Sequence, residues 1–370
     1  MRLLHEEIIQ KIDSKSPVAP FLKGRRDLQI FMLHGEETHS IKFVYERQRE
    51  EMSKVLVTGG AGFIGSNVTE ALLKMGHRVR VLDNFSTGKR ENLIFDEIYP
   101  LIDMMEGDIR DLPTCQKAMK DIDYVFHEAA LASVQRSVED PLTSHSVNVE
   151  GTLNILLAAR EAGVKRLIYA SSSSVYGDTP TLPKREEMPV NPLSPYALQK
   201  YIGEQYGRLF FELYGLETVS LRYFNIFGPK QDPNSIYSAV IPRFIDALVT
   251  GRSPVVFGDG EQSRDFTYID NVVQANLLAM SAEHLNGEAI NIAYGRRVSL
   301  NQLLDVLKEI LESRISPLYQ EPRAGDVRHS LADIQKGKEI LHYEPQVGIE
   351  KGLKNTVDYF VRERPKDRRG

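Results

Sequence analysis

Tyr196 and Lys200 stand four residues apart, downstream of a run of serines, Ser171-Ser-Ser-Ser174, and these residue types can pass a proton between them. The spacing puts phenol and ammonium on one face of a helix that opens at Ser194-Pro195. A free phenol ionises near pH 10, so a base at neutral pH requires roughly 4 kcal/mol of stabilisation of its anion. One positive charge at about 4 Å supplies roughly that at an effective dielectric near 20. Lys200 is therefore expected near the phenol oxygen, and Ser172 is expected to hydrogen-bond a hydroxyl and hand its proton to Tyr196. The same spacing also arises as a plain pair on a helix surface. What gives it weight is the set of elements around it.

The stretch Val55-Leu-Val-Thr-Gly-Gly-Ala-Gly-Phe-Ile-Gly65 reads as a buried parallel strand running into a helix through glycines. Gly59 permits the tight turn, Gly62 lets a pyrophosphate approach the backbone, and Gly65 lets the helix opened by Phe63 and Ile64 pack close, with its first amides facing the phosphates. A glycine-rich turn by itself also fits a tight connection with no ligand. A second strand, Arg78 to Asp83, ends in an acid about twenty residues on, where a ribose hydroxyl pair is held. The Asp83 carboxylate would repel a 2′-phosphate, which favours NAD over NADP. The polar loop Asn84-Phe-Ser86-Thr87-Gly88 is placed to touch the adenosine ribose. With a dinucleotide bound, Lys200 has a second place beside its ribose, and the nicotinamide cation adds to the pull on the phenolate.

A third strand ends in Glu106-Gly-Asp-Ile109, where Asp108 reads either as a ligand contact or as an acid capping the helix that starts at Asp111. A fourth, Tyr124 to Ala129, continues into Ala130-Leu-Ala-Ser133, whose small residues let backbone approach a cofactor. His127, at the strand end, is read as structural rather than as an acid or base. A long helix from about Pro141 to Ala162 carries Asn148, and strands follow at Arg166 to Ser171 and Thr218 to Phe224. This alternation predicts an α/β fold: a Rossmann doubly wound parallel sheet with a smaller α+β C-terminal substrate-binding lobe. The expected boundaries are a dinucleotide-binding domain over 52–225 with returning segments from the C-terminal half, the lobe mainly over 226–362, and a charged tail over 363–370. Helices over Asn271 to Ala282 and Leu300 to Glu312 read as scaffold. Residues 1–51 carry no legible chemistry. With Met52 directly before the first strand, they are either an appended arm or an extension that a start at Met52 would omit, and in both cases are expected to be dispensable.

A chain of 370 residues, 42% apolar and 26% charged, is an ordinary globular composition. The net charge of −5 comes with no basic run suited to nucleic acid. A single cysteine, Cys115, forms no internal disulfide, and with no secretory segment the expected location is cytoplasmic. Apolar runs are strand-length, so no membrane span is expected. No metal-ligand cluster is visible, which leaves the hard chemistry to the bound NAD.

The fingerprint Thr58-Gly-Gly-Ala-Gly-Phe-Ile-Gly65, with Ser172, Tyr196 and Lys200, is similar to that of the extended short-chain dehydrogenase/reductases. From residue 53 to about 360 the chain resembles the members of that NAD-dependent epimerase/dehydratase family that act on nucleotide sugars, and among them the UDP-sugar 4-epimerases. The resemblance implies further roles, position by position. Asp108 and Ile109 border the adenine, Ala129 and Ala130 approach the cofactor, and Asn148 and Tyr223 lie near its nicotinamide half. Ser133, Ser173 and Ser174 line the sugar site, and Asn225 lies near the substrate diphosphate. The helix begun by Tyr237 to Pro242, with Val240, walls the uracil pocket together with Phe257. Arg264 and Arg323 are carried to the phosphates, which guanidinium forks bind well, and Asp326 to the nucleotide ribose. Ser330 forms a wall of the sugar pocket, where a small residue leaves room for an N-acetylated sugar; from pattern alone it could equally be a cap. Related 4,6-dehydratases carry an aspartate and a glutamate at the positions of Ser173 and Ser174, so their absence argues against dehydration.

Members of this kind pair into homodimers through two helices, here about Pro141 to Ala162 and Tyr196 to Tyr214. Both carry apolar residues beyond one sheet-facing side, including Leu153, Leu156, Leu157, Phe210 and Phe211. The implied reaction is C4 epimerisation of a UDP-hexose. A net dehydrogenase, reductase or decarboxylase on the same substrates, or a non-catalytic NAD-binding sensor, stays open.

Overall fold

Six strands, β1 (Lys54–Thr58), β2 (Arg78–Asp83), β3 (Asp103–Glu106), β4 (Tyr124–His127), β5 (Arg166–Ser172) and β6 (Glu217–Tyr223), join Ala289–Ile292 in one parallel sheet in the computed structural model. The strand order is Ala289–Ile292, β6, β5, β4, β1, β2, β3. Val55, Leu56 and Val57 are fully buried, as a central strand with helices on both faces requires. Chain direction across the sheet reverses between β1 and β4, and that switch point opens a crevice at the carboxyl ends of the strands. The structure describes residues 52–95, 102–232, 240–322 and 328–362. The chain divides between Glu51 and Met52, and every described residue belongs to the second unit.

Helices Phe63–Lys74 and Ile269–Ser281 pack together on one face of the sheet, and Leu112–Ala118, Thr152–Ala162 and Pro195–Tyr214 cover the other. The long helix expected from Pro141 to Ala162 runs without a break over that span, with a π-helical turn over Ser146–Gly151 between the α-helical stretches Pro141–His145 and Thr152–Ala162. Such turns mark functional sites in many helices. Here the widened turn carries Asn148, and Gly151 lets it close on Ile109, since a Cβ at 151 would lie 2.6 Å from that side chain. A second difference concerns the apolar residues assigned to a subunit interface. Leu156 and Phe210 are buried in the chain's own core with Ile155, Leu167 and Leu216, and Leu153 and Leu157 pack partly buried on it. The sheet uses a wider arc of both helices than one heptad face. The residues left outward are Val134, Val138, Leu142, Leu198, Leu209, Leu213 and Tyr214.

Beyond β6 the structure is a set of short pairings. Ile226–Phe227 runs parallel to Thr267–Tyr268, Ser263–Asp265 antiparallel to Arg297–Ser299, and Val255–Phe257 parallel to Leu318–Gln320. Helix Leu300–Ile310 starts in a capping box made by Ser299 and Gln302. Phe244, Leu303, Leu307 and Leu353 from the helices of this part share one apolar core with Val55, Val57 and Val81 of the sheet.

A buried ion pair fastens the Pro195–Tyr214 helix to the sheet. Glu204 accepts from Arg222 of β6 at 2.8 Å and 2.7 Å, with side chains 3% and 5% exposed. Ser171 donates to the same carboxylate at 2.5 Å, Arg222 donates to the Tyr176 hydroxyl at 2.8 Å, and Tyr176 donates to Asn291 at 2.7 Å. Glu204→Ala leaves a buried guanidinium uncompensated and is expected to cost about 3–5 kcal/mol, read as a lowered denaturation midpoint with an unchanged slope. A loss below about 1 kcal/mol, the range of an exposed pair, would remove the fastening role.

Candidate active site

The glycine turn is held by close approach. Gly59 has φ +66°, and a Cβ there would lie 2.7 Å from the backbone of Ala129; a Cβ on Gly65 would lie 2.3 Å from the Gly59 carbonyl. Helix Phe63–Lys74 begins at Gly62 with no side-chain cap, so its first amides are not spent on a side chain. Those amides and the helix dipole fit an anionic pyrophosphate. Asp83, at the end of β2, accepts from the amides of Ala61 at 2.9 Å and Phe85 at 2.8 Å. Gly88 lies against it, a Cβ there reaching 2.9 Å from Asp83 Oδ2, while Ser86 and Thr87 are exposed. Asn84 donates to Asp108 at 2.9 Å. Asp108 is gripped by Arg110 at 2.7 Å, which holds its carboxyl down at about 2. The helix cap is Asp111, which accepts from Thr114 N at 3.1 Å, so Asp108 is not the capping acid.

Across the turn, Ala129 and Ala130 are partly buried. The segment they begin is pinned by Asn148, whose Oδ1 accepts from Leu131 N at 2.8 Å and whose Nδ2 donates to Gln199 at 2.8 Å. Asn148 is 1% exposed and its amide is committed to protein atoms, so its influence on the crevice passes through the loop it holds. His127 is fully buried between Thr58 at 2.7 Å and Thr152 at 3.0 Å, and burial presses it down to about 3. It is a neutral pin, as its strand-end position led us to expect.

Ser172 ends β5, and Tyr196 opens the Pro195–Tyr214 helix, which Ser194 caps by accepting from Ala197 N at 3.1 Å. Burial pushes the phenol up to about 12, with the neighbouring Ser172 side chain acting against that. Lys200 lies one turn after Tyr196 on the same helix. Its ammonium donates to the Ala170 carbonyl at 2.6 Å and lies 4.9 Å from the Tyr169 ring centre but 6.0 Å from that of Tyr196. The end of β5 presents a carbonyl within the reach of the lysine, and the cation donates to it. Burial lowers Lys200 to about 8, with Glu128 and then Glu204 acting against that. Ser173 and Ser174 form a 3-10 turn after β5; Ser174 N donates to Ser172 Oγ at 3.2 Å, and Ser174 Oγ is buried without a partner among the described residues. Ser133 caps the short helix Val134–Glu139, accepting from Arg136 N at 3.1 Å.

Tyr223, at the end of β6, is 7% exposed and donates to Glu128 at 3.0 Å. Asn225 follows with φ +36° and donates to the Asp265 carbonyl at 3.3 Å. Val240 opens the helix Val240–Val249, and Phe257 ends a strand beside Leu318–Gln320. Arg264 donates to the carbonyls of Ser263 at 3.0 Å and Arg328 at 3.1 Å, and Ser330 N donates to Ser263 O at 3.0 Å, so Arg264 and Ser330 lie on adjoining strands. Arg323, Asp326 and Tyr237 lie outside the described residues. Three side chains escaped the motif reading. Glu128 and Gln199 sit inside recognised motifs but look like solvent-facing positions there. Asp265, fully buried, accepts from Gly295 at 3.2 Å and Ala332 at 3.1 Å, and burial pushes it up to about 7. It ties the Ser330 segment to the strand of Arg264.

A family model described as the NAD dependent epimerase/dehydratase family matches residues 55–293. The chain belongs to that family. The UDP-glucose 4-epimerase of Mycolicibacterium smegmatis is 39% identical over 309 residues, covering 83% of this chain and 98% of the relative. The solved UDP-N-acetylglucosamine 4-epimerase from Methanobrevibacter ruminantium, in complex with UDP-N-acetylmuramic acid, is 42% identical with a TM-score of 0.81, covering 85% of this chain and 99% of that one. A UDP-N-acetyl-α-D-glucosaminuronate decarboxylase of Bacillus cytotoxicus is 36% identical over 319 residues, covering 83% of this chain and 97% of the relative. The cofactor is NAD, and the uncapped helix start, the glycine turn and Asp83 are a donor and acceptor set that fits it. No helix among the described residues is long and apolar enough to cross a membrane.

Proposed function

We propose that this protein interconverts UDP-hexoses at C4, with UDP-GlcNAc and UDP-GalNAc its best pair and UDP-Glc and UDP-Gal also accepted. The observation that carries the reading is the placing of Ser172 at the end of β5 beside Tyr196, with Lys200 one helical turn below donating to Ala170 of the same strand, at the carboxyl ends of the sheet beside the glycine turn. NAD supplies hydride acceptance and return when bound. Ser172 and Tyr196 take the proton of the C4 hydroxyl and later restore it. Lys200, held on Ala170, would lie beside the cofactor ribose, and its positive charge favours the Tyr196 phenolate against the burial that pushes the phenol up to about 12. The residues proposed to hold NAD are the Phe63–Gly65 amides, Asp83, the Asn84–Gly88 loop, Asp108, Ile109, Ala129, Ala130 and Tyr223. Arg264, Arg323 and Asn225 are assigned to the diphosphate, Asp326 to the uridine ribose, and Val240 and Phe257 to the base. Fixing the diphosphate while the sugar is free to turn lets hydride return to the opposite face.

Tyr196→Phe is expected to keep its NAD and lose turnover of every UDP-hexose in a panel resolved into C4 epimers. Retention of more than about a tenth of the rate would remove the base assignment, since such groups contribute about 10²-fold or more. The same panel separates epimerisation, which leaves added NAD untouched, from the decarboxylation that the Bacillus cytotoxicus relative is named for.

Ser330 adjoins the Arg264 strand, and a small side chain there is compatible with a 2-acetamido group in both poses of the turning sugar. Ser330→Tyr is expected to abolish conversion of the N-acetylated pair while sparing the UDP-Glc pair. Equal loss of both, or of neither, would show that Ser330 is not the gate. The outward apolar row from Val134 to Tyr214 supports a C2 homodimer built on the Pro195–Tyr214 helix and its neighbours. Light scattering at micromolar concentration is expected to give twice the chain mass; a monomer mass would count against it.

A further inference from the structure

Glu128 directly follows β4 and has no task in the reading above. Its Oε1 accepts from the Tyr223 hydroxyl at 3.0 Å, and that hydroxyl accepts from Asn276 at 2.8 Å. Its Oε2 is buried with no hydrogen-bond partner among the described residues. The backbone of Glu128 lies against the phosphate turn, a Cβ on Gly59 coming within 3.1 Å of its carbonyl carbon. Lys200 is the cation that feels it most directly, and the other acid near that lysine, Glu204, is neutralised by Arg222. Glu128 therefore has its backbone against the glycine turn and its carboxyl within electrostatic reach of Lys200, with one oxygen bonded to Tyr223 and the other buried without a partner among the described residues.

We propose that Glu128 is the proton-exchanging counter-charge of the NAD site, ionised while the nicotinamide is oxidised and cationic, and protonated while it is reduced and neutral. The inference rests on the cofactor site and not on the epimerase reading. A buried carboxylate with an unpaired oxygen favours its neutral form, and a cation nearby favours the anion. Burial pushes Glu128 up to about 7, with Tyr223 and Lys200 opposing, so a single added or removed positive charge decides its state near neutral pH. The other facing groups do not compete for the proton. Tyr223 is raised well above an ordinary phenol, His127 on the same strand is pressed down to about 3, and Asn276 of the Ile269–Ser281 helix carries no charge.

When the oxidised ring is present, the Glu128 O–H bond breaks, its electron pair stays on the carboxylate, and the proton leaves to solvent. Reduction of the ring reverses this with one proton taken up. By linkage, ionised Glu128 strengthens binding of the oxidised cofactor over the reduced one. Because the folded pKa is raised, the carboxyl is protonated below about 7. Affinity for oxidised cofactor therefore rises with pH up to that point and levels off above it, while affinity for reduced cofactor stays flatter.

Infrared difference spectra of the full chain with its bound cofactor, oxidised against chemically reduced, test this without turnover. Reduction near neutral pH is expected to produce the carbonyl stretch of a protonated carboxyl in the wild type and none in Glu128→Gln. Glu128→Asp keeps the carboxyl but alters its reach to Tyr223, and is expected to shift that band. If Glu128→Gln does not retain NAD, the aspartate variant decides, and an unshifted band overturns the proposal. The same band in wild type and Glu128→Gln, or no band in wild type between about pH 6 and 8, also overturns it.

Discussion

The geometry of the crevice depends on the buried contact between Glu204 and Arg222. The helix that carries Tyr196 and Lys200 has to be set against β5 and β6 closely enough for an ammonium to reach the Ala170 carbonyl and for a phenol to meet Ser172. Apolar packing from Phe210 and its neighbours holds the helix down but tolerates sliding. A bidentate guanidinium pair, with Ser171 donating to the oxygen that also takes Arg222 Nε and Tyr176 accepting from the third guanidinium nitrogen, is directional and fixes the rotation of the helix. Desolvating both ions makes such a pair a poor source of net stability. Its presence one turn beyond Lys200 is better understood as registration of the catalytic face.

That registration produces a pocket whose charges are undecided in the protein alone. Tyr196 is pushed up to about 12, Lys200 down to about 8 and Glu128 up to about 7, each by burial first. Burial disfavours every charged form, so the Tyr196 phenol stays neutral while Lys200 and Glu128 are brought near the pH range in which their charge can change. A positive charge near these groups favours the anions of Tyr196 and Glu128, against the burial that disfavours them.

Local pattern made much of this readable in advance. Strand–helix alternation, the glycine spacing and the four-residue separation of Tyr196 and Lys200 are short-range regularities, and they yielded the parallel sheet and the cofactor. Features set by distance in space were not readable. The partner of Lys200 is a carbonyl thirty positions away in sequence, chosen by how closely helix and strand approach. The π turn around Asn148 adds one residue to a turn without disturbing the apolar pattern on either side. Leu156 and Phe210 looked like surplus apolar surface because spacing cannot reveal how wide an arc a twisted sheet covers. Nothing in the local pattern at Glu128 reveals its hydrogen bond to Tyr223, which ends a strand two places away in the sheet.

The cofactor and substrate halves share one apolar core, in which Phe244, Leu303 and Leu353 are continuous with Val55 and Val57. Independent hinge motion of the two halves would expose that core, at about 25 cal/mol for each Å² of apolar surface uncovered. Adjustment to different sugars is therefore confined to the short pairings at the rim, where Ser263–Asp265 meets the Ser330 segment. Asp265 supplies the anchor there by accepting amides from both Gly295 and Ala332. A rigid floor with an anchored but narrow rim suits a reaction in which the linkage stays fixed and only the sugar turns.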